Sequence, residues 1–346
     1  MINRNPTSWD IAAAAGVSQA TVSRALRNSD LVHPETRERI QRIAREMNYS
    51  VNRNAAGLRS HQSNTLALLL FDETGDLTFE ANPLFLSMLG SITRSAGVLG
   101  YDVLVSFQNM ADDWHQAYKV ANRADGLILL GYGDFMHYHE KLAALVAADA
   151  RFILWGPAPT DPAVTTIGSD NVEGGRLATQ HLLDQGHRRI AFFGHASASN
   201  PELAGRYQGY LQALANAGLA VDKALHIQVN ADEAEAAQAL NKLAEKGALP
   251  DAIFAATDSI AIGLLQACKA NNIRVPQDIA LIGFDDLPVT GYLGLSSVRQ
   301  NVQLAGQLLV NNLVQQIEGK PVDSVLMTPE LVVRESSQLA VTPHST

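Results

Sequence analysis

Asp10-Ile11-Ala12-Ala13-Ala14-Ala15-Gly16-Val17-Ser18-Gln19-Ala20-Thr21-Val22-Ser23-Arg24-Ala25-Leu26 is the stretch on which the fold of this chain turns. Ile11, Ala12 and Ala15 recur at helical spacing. Gly16 follows where a short helix must break, because glycine turns left-handed without steric cost. Ser18 is placed to cap a second helix whose inward positions are Val22 and Leu26. Upstream, Thr7-Ser8-Trp9-Asp10 reads as a capping box, hydroxyl and carboxylate satisfying the early amides. Downstream, Pro34 suits the first position of a third helix, where its missing N–H is not needed. That helix carries Ile40, Ile43, Ala44 and Met47 on one stripe and ends near Asn48.

Two short helices joined by a glycine turn, with a third in support, make a helix-turn-helix plan. There the second helix enters the DNA major groove with its first side chains at base edges. Here those are Ser18, Gln19, Ala20 and Thr21, with Ser23 and Arg24 near phosphates and Thr7 and Asn28 in the same set. Gln19 suits an adenine edge in two places, whereas Ala20 offers only an apolar contact such as a thymine methyl. The helical spacing by itself equally fits another kind of three-helix mini-domain.

The 346 residues suffice for two or three domains, and 47% apolar against 18% charged residues suits a chain that buries a real core. No apolar run is long enough to span a membrane, and MINRNPTSWD lacks the apolar core of a signal peptide. One cysteine, Cys268, excludes an internal disulfide and a cysteine zinc site. The cytoplasm is the expected compartment. A net charge of −9 argues against nucleic acid, but its distribution does not. In residues 1–60 nine arginines face five carboxylates, a balance of +4 that leaves −13 for the remainder. A basic end on an acidic body points to DNA contact by one small module, or to a solvated helical face.

The wording goes further than the spacing. DIAAAAGVSQATVSRAL and HPETRERIQRIAREMNY closely resemble the opening of the LacI/GalR family, the lactose-repressor and galactose-repressor types. The resemblance implies a DNA-binding domain over 1–50, a hinge over 51–61 and an effector-binding core over 62–346. Asn52-Arg53-Asn54-Ala55-Ala56-Gly57-Leu58-Arg59-Ser60 is similar to the family's hinge helix, which folds on DNA as a pair in a dimer. Asn52, Arg53, Ala55 and Leu58 are then DNA contacts, with Leu58 as an apolar wedge in the minor groove. Gly57 and Ser60 weaken any helix, which leaves a plain linker as the other reading. Val51 stands where the family usually has proline, a less rigid entry to the hinge.

After residue 62, strand-like runs (Leu66–Phe71, Asp102–Phe107, Leu127–Leu130, Phe152–Trp155, Ile190–Phe193, Ile253–Ala255, Ala280–Gly283) alternate with amphipathic stretches. The latter include Asn82–Gly97, Gly174–Gln185, Arg206–Ala217, Asp232–Lys246 and Asp258–Asn271. Short apolar strands separated by helices imply parallel sheets covered on both faces. The fold class is therefore α/β for the core, two doubly wound parallel-sheet subdomains, behind an all-α headpiece. The resemblance extends here through Gly186-His187-Arg188-Arg189-Ile190-Ala191-Phe192, Arg206-Tyr207-Gln208-Gly209-Tyr210 and the run from Asp278 to Asp286. It implies a core like the periplasmic sugar-binding proteins, crossed three times, near 166, 297 and 328. The N-subdomain is then about 62–166 and 298–327, and the C-subdomain about 167–297 and 328–341.

Ligands of such folds bind outside the carboxyl ends of the strands. Asp72 and Glu73 follow the first strand, Trp155 ends the fourth, Thr257 and Asp258 end another, and Gln300 follows the last crossover. The family resemblance makes Arg206 the effector-gripping arginine and Asp285 the acidic acceptor of sugar hydroxyls or a purine N–H; Phe85 belongs to the same effector set. Other readings stand beside these: a surface arginine for Arg206, packing against the neighbouring subdomain for Trp155, a helix cap for Asp258, a structural loop role for Asp286. A phosphate ligand wants extra cations, and only Arg206 is basic here, which favours a neutral sugar. NPLFLSMLGSITRSAGVLGYDVLVSF and ILLGYGD are similar to regulators of glucoside or maltodextrin use.

No catalytic constellation, metal site or cofactor motif is found. Gly131-Tyr132-Gly133 does not continue into a dinucleotide fingerprint, since Met136 takes the third glycine's place. His137-Tyr138-His139 reads as loop or helix surface, and Cys268 as packing. The expected assembly is a homodimer on palindromic operator DNA, since one headpiece reads one half-site. Family tetramers use a C-terminal leucine-heptad helix, and ESSQLAVTPHST has a proline and no heptads.

Overall fold

The computed structural model describes residues 6–26, 28–49, 62–71, 82–108, 113–131, 135–159 and 161–338. They fall into two compact units, Met1–Asn64 and Thr65–Thr346.

The first unit is α1 (Ser8–Ala15), α2 (Gln19–Leu26) and α3 (Pro34–Glu46). Thr7 caps α1 in a reciprocal box with Asp10, Gly16 closes it in the left-handed region at φ 64°, and Pro34 opens α3. Ile11, Ala12, Ala15, Val22, Ala25, Val32, Ile40 and Ala44 are buried together, with Leu26, Ile43 and Met47 packed against them. Leu26 is thus a flanking contact, and Ala25 takes the inward place beside Val22.

The second unit holds two six-stranded sheets. The first contains β1 (Thr65–Phe71), β2 (Asp102–Gln108), β3 (Gly126–Leu130), β4 (Phe152–Trp155), β5 (Thr166–Ser169) and β11 (Val325–Met327), in the order β11-β5-β4-β3-β1-β2. The second contains β6 (Ile190–Phe193), β7 (His226–Ile227), β8 (Ala252–Ala255), β9 (Ala280–Asp285), β10 (Ser296–Arg299) and β12 (Glu330–Val332), in the order β12-β10-β9-β8-β6-β7. The ladders are parallel except β10–β12. Strands β3, β4, β6, β8 and β9 are buried at every residue, which is why they read as unbroken apolar runs.

Helices α4 (Pro83–Val98), α5 (Phe135–Ala147) and α11 (Val302–Ile317) belong with the first sheet. Helices α6 (Asn171–Asp184), α7 (Pro201–Asn216), α8 (Glu233–Glu245), α9 (Asp258–Ala270) and the short α10 (Pro288–Tyr292) belong with the second. A π-helical turn spans His115–Val120. Tyr138 is fully buried on α5 beside Trp114, so His137-Tyr138-His139 is helical and contributes to a core rather than only to a surface. Cys268 is buried in the second core, and burial pushes its thiol up to about 11.

The chain leaves the first sheet after Ser169 rather than near 166, and the second after Arg299 rather than near 297. It passes back between Met327 and Glu330. The polar residues of β5 and β10 conceal these strands. In β10 the hydroxyls are satisfied internally: Ser297 Oγ donates to Asp258 at 2.6 Å, and Ser296 Oγ to the Arg334 carbonyl at 3.0 Å.

Helices α6 and α7 cross at backbone contact. A methyl group built on Gly175 would lie 2.0 Å from the Arg206 carbonyl oxygen, and one on Gly209 would lie 2.0 Å from that of Val172. These glycines set the height at which Arg206 stands over the sheet.

Candidate functional site

In the three-helix unit the front of α2 is held from two sides. Ser18 Oγ accepts from the Thr21 amide at 3.2 Å and lies 2.9 Å from Thr21 Oγ1, so Thr21 is tied to the cap. Gln19 is half-buried and its Nε2 donates to Ser8 Oγ on α1 at 3.2 Å. Ala20 and Arg24 are exposed, and Ser23 is half-buried. Asn28 takes φ 57° and its Oδ1 accepts from Gln41 Nε2 at 2.7 Å. Thr7 is engaged in the cap, its Oγ1 donating to Asp10 at 2.6 Å. Ala20 and Arg24 are thus exposed members of the DNA set, Gln19 is held back against α1, and Thr7, Ser18, Thr21 and Asn28 hold backbone and caps. Asn52, Arg53, Ala55 and Leu58 lie outside the described residues, as do Asp72 and Glu73.

In the second unit, Arg206 on α7 is buried under four contacts. Its Nε donates to Asn171 Oδ1 at 2.9 Å and an outer nitrogen to the Ala256 carbonyl. The guanidinium lies 3.7 Å from the Phe284 ring centroid, and its other outer nitrogen lies 3.7 Å from Asp285 Oδ1. The last separation is too long for a hydrogen bond, so that nitrogen keeps its donors for a third group. Burial lowers the Arg206 pKa, while Asp285, Glu202 and Asp258 raise it.

Asp285 closes β9 at φ 115°, a backbone region that side chains rarely adopt. Its Oδ1 accepts from Gln300 Nε2 at 2.7 Å, and among the described residues Oδ2 has no hydrogen-bond partner. Burial pushes this carboxyl up to about 6, against the pull of Arg206 and Gln300. Arg206, Asp285 and Gln300 are each under a tenth exposed, so an occupant would be dry on this side.

Two neighbouring carboxylates do different work. Asp258 is fully buried, accepting from Ser297 Oγ and, at 2.8 Å, from the Leu287 amide. Burial raises its pKa, and Asp285 raises it further. The residue that caps α9 is Thr257, whose Oγ1 accepts from the Ile260 amide at 3.3 Å; Asp258 instead ties strand β10 to the turn that follows β9. Asp286 accepts from Arg299 and Arg334, each at 2.7 Å, and from Thr290 at 3.1 Å. Burial raises its pKa, but the two arginines outweigh that and hold it low.

The first subdomain presents Phe85, half-buried, with its ring against Gly131 just beyond β3. The Phe135 amide donates to the Ser199 carbonyl at 3.3 Å, so the segments following β3 and β6 meet at the carboxyl ends of their strands. Trp155 is 5% exposed in the core beneath α4 and α11, packing in its own subdomain rather than against its neighbour.

Sequence reasoning missed Asn171 and Glu202. Asn171 steers Arg206 from 35 residues away, with no local signal. Glu202 sits one turn before Arg206, and burial pushes its carboxyl up to about 7 against its own backbone amide and Arg206. Its spacing of four from Arg206 was the available clue. Among the described residues no helix is long and apolar enough to cross a membrane, and no cluster of three metal-ligating side chains occurs.

Residues 9–52 match the model of bacterial regulatory proteins, lacI family, and residues 179–337 match the periplasmic binding protein-like domain. The HTH-type transcriptional regulator CelR of Thermobifida fusca is 31% identical over 96% of this chain and 98% of its own length. The chain belongs to the LacI family of bacterial regulatory proteins. A solved CelR–cellobiose complex is similar to this LacI-family chain at TM-score 0.70 and 29% identity, covering 96% of this chain and 99% of that one. A lac repressor dimer bound to operator and the anti-inducer ONPF gives TM-score 0.82 and 25% identity, covering 97% and 100%. As a LacI-family member the chain is a DNA-binding transcriptional regulator, with a helix-turn-helix unit and a two-subdomain core. The relatives it matches are transcriptional regulators.

Proposed function

We propose that this regulator is a repressor of a carbohydrate-utilisation operon, binding palindromic operator DNA as a homodimer in the cytoplasm, with no catalytic activity. A neutral sugar of glucoside type sets its DNA affinity from the cleft of the core. The observation that carries the sugar assignment is the gap between Arg206 and Asp285. An outer guanidinium nitrogen lies 3.7 Å from Asp285 Oδ1, and among the described residues neither that nitrogen nor Asp285 Oδ2 has a hydrogen-bond partner. A hydroxyl donates and accepts at once, so it suits this pair, and each hydroxyl needs a partner once desolvated. A phosphorylated ligand meets three aspartates there and one cation not already committed to Asp286. Thr257, Trp155 and Phe85 complete the proposed walls, with Asp72 from beyond the described residues.

Gln300 connects the site to the second crossover, and Asp286, next to Asp285, engages Arg299 before it and Arg334 after the third. A sugar that binds one closure of the subdomains better than another shifts their equilibrium by that difference in affinity. The headpiece senses the shift through the hinge beginning at Asn52. The test is operator titration in the presence of neutral mono- and disaccharides, with cellobiose and ribose included, and of a hexose phosphate. A neutral sugar should change operator affinity and raise the melting temperature, by about 2.7 kcal/mol of stability at a hundredfold excess over Kd. If no neutral sugar does either, the assignment fails.

A further inference from the structure

We propose that Ser8 is a positioning residue for base readout, tethering the Gln19 side chain where its amide can meet an adenine edge. The proposal rests on Gln19 being a base-reading side chain. Ser8 is the first residue of α1 and Gln19 the first of α2, and Gln19 Nε2 donates to Ser8 Oγ at 3.2 Å. Both ends of this bond stand on fixed backbone. The Thr7–Asp10 box locks the first turn of α1, and Ser18 locks that of α2. The bond therefore restrains the three side-chain torsions of a glutamine that would otherwise be ordered only on contact with DNA.

A primary amide has two N–H donors and one carbonyl acceptor. Adenine in the major groove is read by one N–H, toward N7, and the carbonyl, toward the N6 amine. That leaves one N–H of Nε2, and Ser8 Oγ takes it. With Nε2 held toward α1, the carbonyl and the remaining N–H are left to meet a base edge. The neighbouring residue does not compensate, because Ala20 is exposed and carries no polar group. Sequence preference at this position then depends on a residue that need not touch a base.

The experiment is selection and sequencing of a randomised double-stranded DNA library by the full-length protein. Wild type, Ser8→Ala, Ser8→Thr, Gln19→Ala and the Ser8→Ala/Gln19→Ala double variant are compared. Gln19→Ala identifies the base pair that Gln19 reads. At that pair, Ser8→Ala should lower the preference for adenine by about three- to tenfold, the range expected for losing one ordering hydrogen bond. Preferences elsewhere in the site should hold, and Ser8→Thr, which keeps the hydroxyl, should restore the wild-type ratio. In the Gln19→Ala background, Ser8→Ala should change nothing further. The proposal is overturned if Ser8→Ala leaves the ratio intact, or shifts it equally without Gln19, which would make Ser8 a direct contact. If Gln19→Ala alters no preference at any position, the reading of Gln19 itself fails and this proposal falls with it.

Discussion

Gln300 donates from Nε2 to Asp285 Oδ1 at 2.7 Å, joining the floor of the proposed sugar site to the segment by which the chain returns to the first sheet. Two residues 15 apart in sequence thus tie ligand contact to crossover. Gln300→Ala should leave sugar binding measurable by thermal shift but shrink the ratio of operator affinities with and without sugar. An unaltered ratio would dissociate this bond from signalling.

Arg206→Ala and Asp285→Ala should each abolish the sugar response, since each removes a partner from desolvated hydroxyls. Operator titration across a sugar gradient measures it. A normal dose response in Arg206→Ala would rule out the site, and loss of DNA binding without sugar would make these residues structural.

Asp285→Gly should be more stable than Asp285→Ala by about 1–2 kcal/mol, although both lack the carboxylate. At φ 115° a Cβ is strained and a glycine is not. Chemical denaturation of the pair reads this directly, and equal midpoints would mean that the backbone relaxes at this position.

Glu202 gives a pH prediction. Its carboxyl titrates at about 7 in the folded chain against an ordinary 4.5, so the folded state holds its proton longer. Stability then falls as pH rises through that window, because the unfolded chain binds fewer protons there. Asp285, at about 6, acts in the same direction over the lower part of the window. Melting temperatures of Glu202→Gln should decline less between pH 6 and pH 7 than those of wild type, the span lying between these two values. Parallel curves would show that Glu202 is well hydrated.

Leu58→Ala should weaken operator binding by roughly a few kcal/mol while sparing non-specific binding, if the leucine wedge supports a kink. Competition band-shifts with operator and random duplexes separate the two. Normal operator binding would overturn the hinge assignment.

The headpiece was legible in sequence because its punctuation is local: Thr7 with Asp10, Gly16, Ser18 and Pro34 each act within a few residues. Strands β3, β4, β6 and β8 were legible because they are apolar throughout. The crossover strands were not, because Thr166–Ser169 and Ser296–Arg299 are polar, and partners distant in sequence meet the β10 hydroxyls. At the site, Arg206 and Asp285 came from motif resemblance. The structural loop role of Asp286 was also legible, but the division of labour between Asp258 and Asp285 was not, since these two aspartates differ only in what reaches them across the fold.

Gly175 and Gly209 leave the α6–α7 joint without play. α7 carries Arg206, and α6 begins at Asn171, next to Asp170, whose amide donates to the Met327 carbonyl at 2.8 Å. That bond ties the first crossover to the third. Whatever pushes on Arg206 therefore cannot be absorbed by one helix slipping along the other. Under the proposed function such a push would turn α6 as a lever and reach the two tied crossovers. A methyl group at Gly209, 2.0 Å from the Val172 carbonyl oxygen, would force the helices apart and carry Arg206 out of place before any stroke began.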